Sequence, residues 1–470
     1  MIMVHHVAII GGGFSGMMLA LQLKLQSKLA THIHLINNRA LPGRGIAYQN
    51  CSDLAVLNVR AERMSAWPDD PLHFCNWLLC IPKYKSLGLA VVRQLFIPRK
   101  IYGNYLDAIW ENAKQQTSAC DLNYLCDTAV DVMRSGKLFL IQLKSGKIIY
   151  AHQVVLATGN DLPARLNPID EEMAQSDNYY ADPWNEAHHP NILKGGDSLI
   201  MGNGLTMIDI SMMLLKNHFK NKIYCISPNG FSLLPHLYPG LEHPPLLQNI
   251  SEPYTLDQIT KVFFTELRKL KAMGLTAEPL INSFNTITQS VWLQFSLRDK
   301  QRFLQHLKNF WQHARHRVPA HIYNFLQRKQ AENKILFIAG KLRSVKNVGD
   351  KILVEYHDKS KWQLHTLTVD QLINCTGPNT NIAISGNALL LKLYEKNIIY
   401  QDGLKLGLNA TPEGRLLDDK SQTLEHLYTI GNNLKGVLWE STAVPDLRIQ
   451  TAQLANILIA DAAKINLRSV

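Results

Sequence analysis

A glycine-rich run near the start of the chain, Gly11-Gly12-Gly13-Phe14-Ser15-Gly16, has the residue types and spacing to hold a phosphate ester. An apolar stretch, Val7-Ala8-Ile9-Ile10, precedes it, and Met17, Met18, Leu19, Leu21, Leu23 and Leu25 follow. In a G-x-G-x-x-G between strand and helix, the first glycine permits the tight turn. The second lets backbone approach a pyrophosphate, and the third lets helix pack on strand. The helix N-terminus then offers unpaired N–H groups and a partial positive charge. Ile33-His34-Leu35-Ile36 reads as the next strand, so the elements that must position the turn are those of a βαβ unit. Where a carboxylate would bind a ribose hydroxyl stands Asn37, which accepts only through a neutral amide oxygen. The fingerprint binds a dinucleotide; it does not choose between FAD and a nicotinamide cofactor.

The pattern then repeats. Strand signals at Leu122–Val132, Lys137–Leu143 and Lys147–Ala151 make a β-meander that runs into Val154-Val155-Leu156-Ala157-Thr158-Gly159. Ser198–Met201 is again a strand, Gly202-Asn203-Gly204 a turn, Leu205–Leu215 a helix and Lys222–Ile226 a strand. A second meander, Ile335–Ala339, Lys341–Val345, Ile352–Tyr356 and Trp362–Val369, ends at Leu372-Ile373-Asn374-Cys375-Thr376-Gly377. Two copies of glycine turn, meander and T-G strand predict a duplicated dinucleotide-binding architecture. The second turn is the weaker one. Its third glycine is Met207, and Ser227-Pro228-Asn229 after the following strand supplies neither a carboxylate nor an arginine for a ribose. The missing contact is worth about 1.5–3 kcal/mol, roughly ten- to hundredfold in affinity. Arg298 and Arg317 are the candidates to compensate.

Other stretches offer weaker chemistry. Cys75 and Cys80 have the C-x4-C spacing of a redox disulfide, but on one helix residues five apart point away from each other, so free thiols are expected. That helix is expected to start with Asp70 as N-cap and Pro71 at its first position. The Tyr102, Tyr105, Leu106, Ile109 stripe reads as core. Asp299–Arg317 reads as one helix of an insert at about 240–330, with Phe303, Leu304, Leu307, Phe310 and Trp311 on one face. Its other face carries Lys300, Arg302, His306, Lys308, His313, Arg315 and Arg317 and is expected to be solvated. His313 and His316 lack a third ligand, so no metal is expected.

The 470 residues allow two or three domains, and 46% hydrophobic with 19% charged content is that of a soluble globular protein. No apolar run approaches the roughly 20 residues of a membrane span. The N-terminus lacks a basic start and glycines interrupt its apolar part, so no signal peptide is expected. Seven cysteines without a dense framework fit a reducing compartment, and a cytoplasmic location is expected. The net charge of +11 comes with scattered basic residues and no nucleic-acid motif, so nucleic acid is not an expected partner.

With these segments placed, the chain resembles the bacterial FAD-NAD(P)-binding protein family and, more distantly, the N-hydroxylating flavin monooxygenases. The resemblance rests on Gly11–Gly16, Gly43-Arg44-Gly45 with Ala47-Tyr48, Leu57–Pro71, Pro98-Arg99 with Tyr102-Gly103 and Tyr105-Leu106, and Ala157-Thr158-Gly159. Asp182-Pro183-Trp184, Arg302–Arg317, Asn374–Pro378 and Trp439–Pro445 complete it. It implies an α/β fold of two Rossmann-like domains of the glutathione-reductase and flavin-monooxygenase type, with a helical insert. The FAD domain would comprise 1–180 and 370–470, and the NAD(P)-binding-like domain 181–369.

By the same resemblance Gly11, Gly12, Gly13, Phe14, Ser15 and Gly16 hold the FAD pyrophosphate, Asn37 its ribose, and backbone near Val130 its adenine. Asn58, Met64 and Arg99 lie toward the isoalloxazine; Gly431 and the helix beginning near Val444 meet the ribityl and pyrimidine end. Arg44, Thr158 and Gly159 are further FAD candidates, and Gly202 and Gly204 belong to the NAD(P)H turn. Asn432 stands where such proteins often have Asp. The expected activity is that of an FAD-dependent, monooxygenase-like oxidoreductase on a small molecule. No catalytic acid or base is identified. The rival is a non-catalytic flavoprotein-fold binding or regulatory module.

Overall fold

A computed structural model describes residues 4–49, 54–230, 233–237, 241–247 and 253–467. Residues 240 and 248–252 of the expected insert lie outside them. Two parallel-sheet layers dominate. In the first, His5–Ile10 lies at the centre, parallel to Thr31–Asn37 on one side and Gln153–Leu156 on the other. Cys120–Cys126 and Thr423–Thr429 extend it in parallel, and Arg415–Leu417 closes one edge antiparallel. The helix Phe14–Gln26 is apolar nearly all round because it is covered on both sides. The sheet lies under it, and the closing helix Val444–Leu467 packs over it.

The second sheet repeats the plan. Ser198–Met201 runs parallel to Ile223–Ser227 and to Gln371–Asn374, and Ile223–Ser227 runs parallel to Ile335–Val348. Tyr179–Tyr180 sits at the edge beside Gln371–Asn374. These pairings put residues 179–180 and 371–374 in the second sheet, although the division drawn from sequence gave them to the first.

Two meander readings need correction. The signal at 122–132 is two strands: Cys120–Cys126 joins the main sheet, and Ala129–Ser135 opens a separate three-stranded sheet. Asp127 breaks the run, its carboxylate accepting from the Thr128 N–H at 2.7 Å. Conversely, 335–345 is a single strand, Ile335–Val348, whose first half pairs parallel with Ile223–Ser227 and whose second half pairs antiparallel with Lys351–Asp358. Gly340 lets it pass the Tyr356 ring, from which a Cβ there would lie only 2.7 Å away.

The insert is helical. Leu256–Ala272 opens with a Thr255/Gln258 capping box and buries Leu256, Ile259, Phe263, Leu267 and Leu270 along one face. The segment expected as one helix is Leu297–Arg302, a π-helical turn Phe303–Leu307, and Lys308–Arg315, followed by a short strand Arg317–Val318. The Cys75 helix is His73–Leu79, two residues later than expected, with Asp70 Oδ1 accepting from the Leu72 N–H at 3.2 Å. Cys75 is buried in it, Cys80 exposed, and both are free thiols. No described helix is long and apolar enough to cross a membrane.

Candidate functional site

Parallel strands bring the ends of Ile10, Asn37, Leu156 and Thr429 to one edge of the first sheet, where a ligand crevice belongs. The glycine turn stands there, and its three glycines have separate work. Gly11 has φ +110°, and a Cβ on it would lie 2.1 Å from the Ala157 carbonyl oxygen. A Cβ on Gly16 would lie 1.8 Å from the Gly11 carbonyl oxygen, so these two are packing requirements. A Cβ on Gly13 would meet only the Gly45 Cα, at 3.7 Å, and so this position leaves room for a phosphate. Gly13 is also the N-cap of Phe14–Gln26, with no side-chain cap and no acidic residue in the first turn. That leaves backbone N–H groups and the dipole for an anion. Phe14 is buried in the core, while Ser15 faces the C-terminal segment: a Cβ on Gly431 would lie 3.0 Å from its Oγ.

Asn37 packs on Gly12, whose Cβ would meet the Asn37 side chain at 2.7 Å. Its amide donates to the Tyr124 hydroxyl at 3.2 Å, which directs the amide oxygen to serve as acceptor. The Tyr124 hydroxyl in turn donates to the Arg39 carbonyl. Neither Tyr124 nor Arg39 carried a motif signal in the sequence.

The two candidate arginines are clamps. Arg44 grips Asp107 through Nε at 3.0 Å and Asn104 through Nη2 at 2.8 Å, fixing the loop after Asn37 to the helix Arg99–Gln115. Arg99 Nη2 lies 3.3 Å from Asp209 on the second glycine-turn helix, tying the two halves together. The Asn58 carbonyl accepts from His236 Nε2 at 3.0 Å, and Met64 is buried. The Val130 carbonyl, at a bulge in the separate three-stranded sheet, accepts from Lys392 at 3.4 Å. Gly159 has φ +73° and open space around it. The Thr158 hydroxyl accepts from Asn433 Nδ2 at 3.0 Å. Asn433, passed over for Asn432 in the sequence, also donates to Thr429 Oγ1 at 3.0 Å and to the Leu156 carbonyl at 3.3 Å. It joins the T-G strand to the last strand.

Gly202 and Gly204 form the corresponding turn on the second sheet. Gly202 has φ +102°, and its Cβ would meet the Cys375 carbonyl oxygen at 2.5 Å. Met207 is fully buried where the third glycine would be. Arg317, one hoped-for ribose partner, is spent elsewhere: it is buried, lies 3.6 Å from Glu278, and donates to the Pro235 carbonyl at 3.2 Å. The other, Arg298, is exposed and faces Asp257.

The segment Trp439-Glu440-Ser441 leads into the helix Val444–Leu467. Glu440 has φ +63°, a conformation that costs a non-glycine residue about 1–3 kcal/mol and clusters at functional sites. Its carboxylate accepts from the Trp311 indole at 2.9 Å and lies 3.1 Å from Arg315 Nε and 3.9 Å from His316. Burial opposes its charge, yet Arg315 and His316 outweigh burial and hold it below the ordinary carboxylate range. Asp446, in the first turn of the closing helix, goes the other way. Burial and then the Glu440 charge push it up to about 6, against the pull of Arg315 and Arg63. The two carboxyls are thus driven apart in their affinity for protons.

This also corrects the basic helix. Its face is not simply solvated: Arg315 reaches Asn285 and Glu440, and Arg317 reaches Glu278. Arg302 alone of the three arginines pairs outward, with Asp257 and Asp299. The π turn adds a residue to the coil and rotates everything after it, so side chains expected outside turn inward. Among the described residues His313 and His316 belong to no set that could hold a metal. The meeting of Glu440, Asp446 and Arg315 escaped the sequence reading because their partners come from distant segments, Trp311 lying 129 positions from Glu440.

Residues 8–161 match the model of the FAD-NAD(P)-binding family. This part of the chain is similar to that family. The matched segment contains the first glycine turn, Asn37, Arg44, Arg99 and the first T-G strand. A comparison with curated proteins returns no match. The whole chain has the two-dinucleotide-binding-domain flavoprotein fold. It superposes on the ornithine N-hydroxylase of Kutzneria sp. 744, in complex with reduced FAD, NADP+ and L-ornithine, with TM-score 0.66, 14% identity, and 98% of this chain and 99% of that one covered. Ornithine hydroxylase of Pseudomonas aeruginosa gives TM-score 0.65, 14% identity and coverage of 97% and 99%. L-lysine 6-monooxygenase from Pseudomonas syringae gives 0.64, 11%, and 97% and 99%. Bacillithiol disulfide reductase of Bacillus cereus shares the fold at 0.54.

Proposed function

We propose that the chain is an FAD-dependent oxidoreductase of monooxygenase-like kind, acting on a small molecule. The observation that carries this reading is the open Gly13 position at an uncapped helix N-terminus, between two glycines that packing forbids to change. The donor set fits FAD: Gly11 to Gly16 would hold the pyrophosphate, and the Asn37 amide oxygen would accept from a ribose hydroxyl. Gly431 and the first turn of Val444–Leu467 would meet the ribityl and pyrimidine end. When bound, the flavin supplies the hydride and oxygen chemistry. The chain's own part is to orient and to move protons. Arg44 and Arg99 hold the cleft walls through Asp107 and Asp209. Asp446, pushed up to about 6 by burial, can take or give a proton in the first turn of the closing helix, while Glu440 stays ionised and fixes Arg315.

The nicotinamide turn is read as degenerate, because Met207 fills the third glycine's place and Arg317 is committed to Glu278. The test of the flavin reading is the visible spectrum of the purified protein, native and after denaturation. Released, unmodified FAD is the expected result; a colourless protein that also fails to take up added FAD would overturn it.

A further inference from the structure

A sheet edge is a row of unpaired backbone N–H and C=O groups, and folded chains blunt it with charge, proline, a bulge or brevity. Most edges of this molecule are blunted. Arg415–Leu417 has three residues and a register shift, and Ala129–Ser135 is bulged. Tyr179–Tyr180 and Ile148–Ala151 are short. Cys120–Cys126 carries the exposed Asp121, whose carboxylate meets His32 at 3.0 Å. The far edge of the second sheet, Leu364–Val369, has none of these devices. Leu364-His365-Thr366-Leu367-Thr368-Val369 holds no proline, lysine or carboxylate, and it pairs antiparallel with Lys351–Asp358 without a bulge. Among the described residues no other element bonds to its backbone.

The strand is also held ready. Ahead of it the Asp358 carboxylate accepts from the backbone N–H groups of Ser360, Lys361 and Gln363, at 3.0, 2.9 and 2.7 Å. The loop is therefore ordered beforehand, and pairing costs little further entropy. Leu364 is 44% exposed, and the Trp362 ring beside it, 60% exposed, stacks on His357 at 4.9 Å. The two ends of the strand differ in charge. In front of it stand Lys359 and Lys361 against Asp358, with Lys341 across the sheet from His357. Behind it two carboxylates, Asp370 and Asp197, act on Lys351.

We propose that Leu364–Val369 pairs antiparallel with the same strand of a second copy of this chain, across a two-fold axis at Thr366. The two seven-stranded sheets then become one. An axis perpendicular to the sheet sets odd residues against odd and even against even, so each face meets its like. Thr366 then lies against itself, Leu364 against the second copy's Thr368, and His365 against its Leu367. Threonine pairs of this kind are favourable, and no like charges stand opposite each other within the strand. An axis at Leu367 would instead put Leu364 against Asp370. Antiparallel pairing also brings the basic end of each strand to the acidic end of the other, and this complementarity names a second copy as the occupant. With about six residues pairing on each side, the interface is small and the dimer weak, its Kd on the order of 10 μM.

The test is sedimentation equilibrium of the purified full-length chain, which should pass from monomer to dimer between about 1 and 200 μM. Thr366→Lys sets two ammonium groups against each other at the axis and should weaken the dimer at least about tenfold. Thr366→Val keeps a good strand former and should leave it standing. In the unaltered chain, amide exchange of Leu364–Val369 should slow as the concentration rises over the same range, while that of Cys120–Cys126 stays constant. A chain still monomeric at the highest concentration would overturn the proposal. So would a dimer unweakened by Thr366→Lys in a protein with native circular dichroism, since its interface would lie elsewhere. Where Thr366→Lys fails to fold, the exchange measurement decides, because it needs no variant: a dimer that leaves Leu364–Val369 unprotected does not use this edge. None of these outcomes depends on flavin binding.

Discussion

The two glycine turns of this chain share a backbone and differ in what they can hold. In both, the first glycine lies against a T-G strand: a Cβ would come to 2.1 Å from the Ala157 oxygen at Gly11 and 2.5 Å from the Cys375 oxygen at Gly202. At the third position they part. Gly16 lets the helix sit on the turn, whereas Met207 fills that space with a fully buried side chain. After the next strand the first copy has Asn37, half-engaged by Tyr124, and the second has Ser227. The meanders diverge too, one forming a sheet of its own and the other extending the second sheet through a single long strand. What a fold needs from a glycine survives duplication; what a ligand needs from the neighbouring residues is free to drift.

The sharpest way to break this comparison is to place a carboxylate in each turn. Gly13→Asp should abolish FAD binding while leaving the fold intact, because the position is open and only a phosphate is excluded. Gly204→Asp should leave the flavin spectrum unchanged. Loss of flavin in both variants, or in neither, would mean that the turns are not distinguished as described.

A second difference is acid sensitivity. The first sheet carries stacked histidines at the start of its strands: the His5 and His152 rings lie 4.7 Å apart, and His6 Nδ1 lies 3.3 Å from His34 Nε2. The corresponding strand starts in the second sheet are Ser198, Ile223 and Gln371. Burial lowers His5 to about 4, and its Gln153 hydrogen bond does not offset this. The unfolded chain, with histidines near 6.5, therefore binds protons that the folded chain refuses. Stability is full above about pH 6.5 and falls toward pH 4, by up to roughly 3 kcal/mol for His5 alone. Thermal midpoints from pH 7.5 down to 4.5 should drop steeply, and His5→Gln should flatten the curve. A pH-independent midpoint would remove the histidine account.

The nicotinamide half can be sharpened by repair. Stopped-flow mixing with NADH or NADPH under anaerobic conditions should reduce the flavin slowly. Asn229→Arg should tighten NADPH binding about tenfold, the worth of one charge-assisted phosphate contact, without helping NADH. Rapid reduction of the unaltered protein at micromolar cofactor would show the second site to be intact. The smallest effect is expected at the cysteines. Cys80→Ser should change neither flavin reduction nor the count of free thiols beyond the one removed, since Cys80 is exposed and Cys75 buried.

Periodicity and turn residues were enough to read the duplicated glycine turns, the flanking strands, the buried stripe of Tyr102, Tyr105, Leu106 and Ile109, and the thiol state of Cys75 and Cys80. Each depends on interactions within a few residues, where spacing alone carries the geometry. The strand break at Asp127 and the unbroken strand through Gly340 were misread, because a side-chain hydrogen bond and a sheet partner decided them. The candidate site shows the same division more strongly. Gly11, Gly13, Gly16 and Asn37 were legible as a local motif. The grip of Arg44 on Asp107, of Arg99 on Asp209 and of Arg317 on Glu278 was decided by tertiary packing. So was the turning inward of Arg315, because a π turn reset the helix register and Glu440 waited on a distant loop. A one-dimensional pattern records which faces are apolar; which charge meets which is settled only when segments far apart in the chain are brought within a few ångströms.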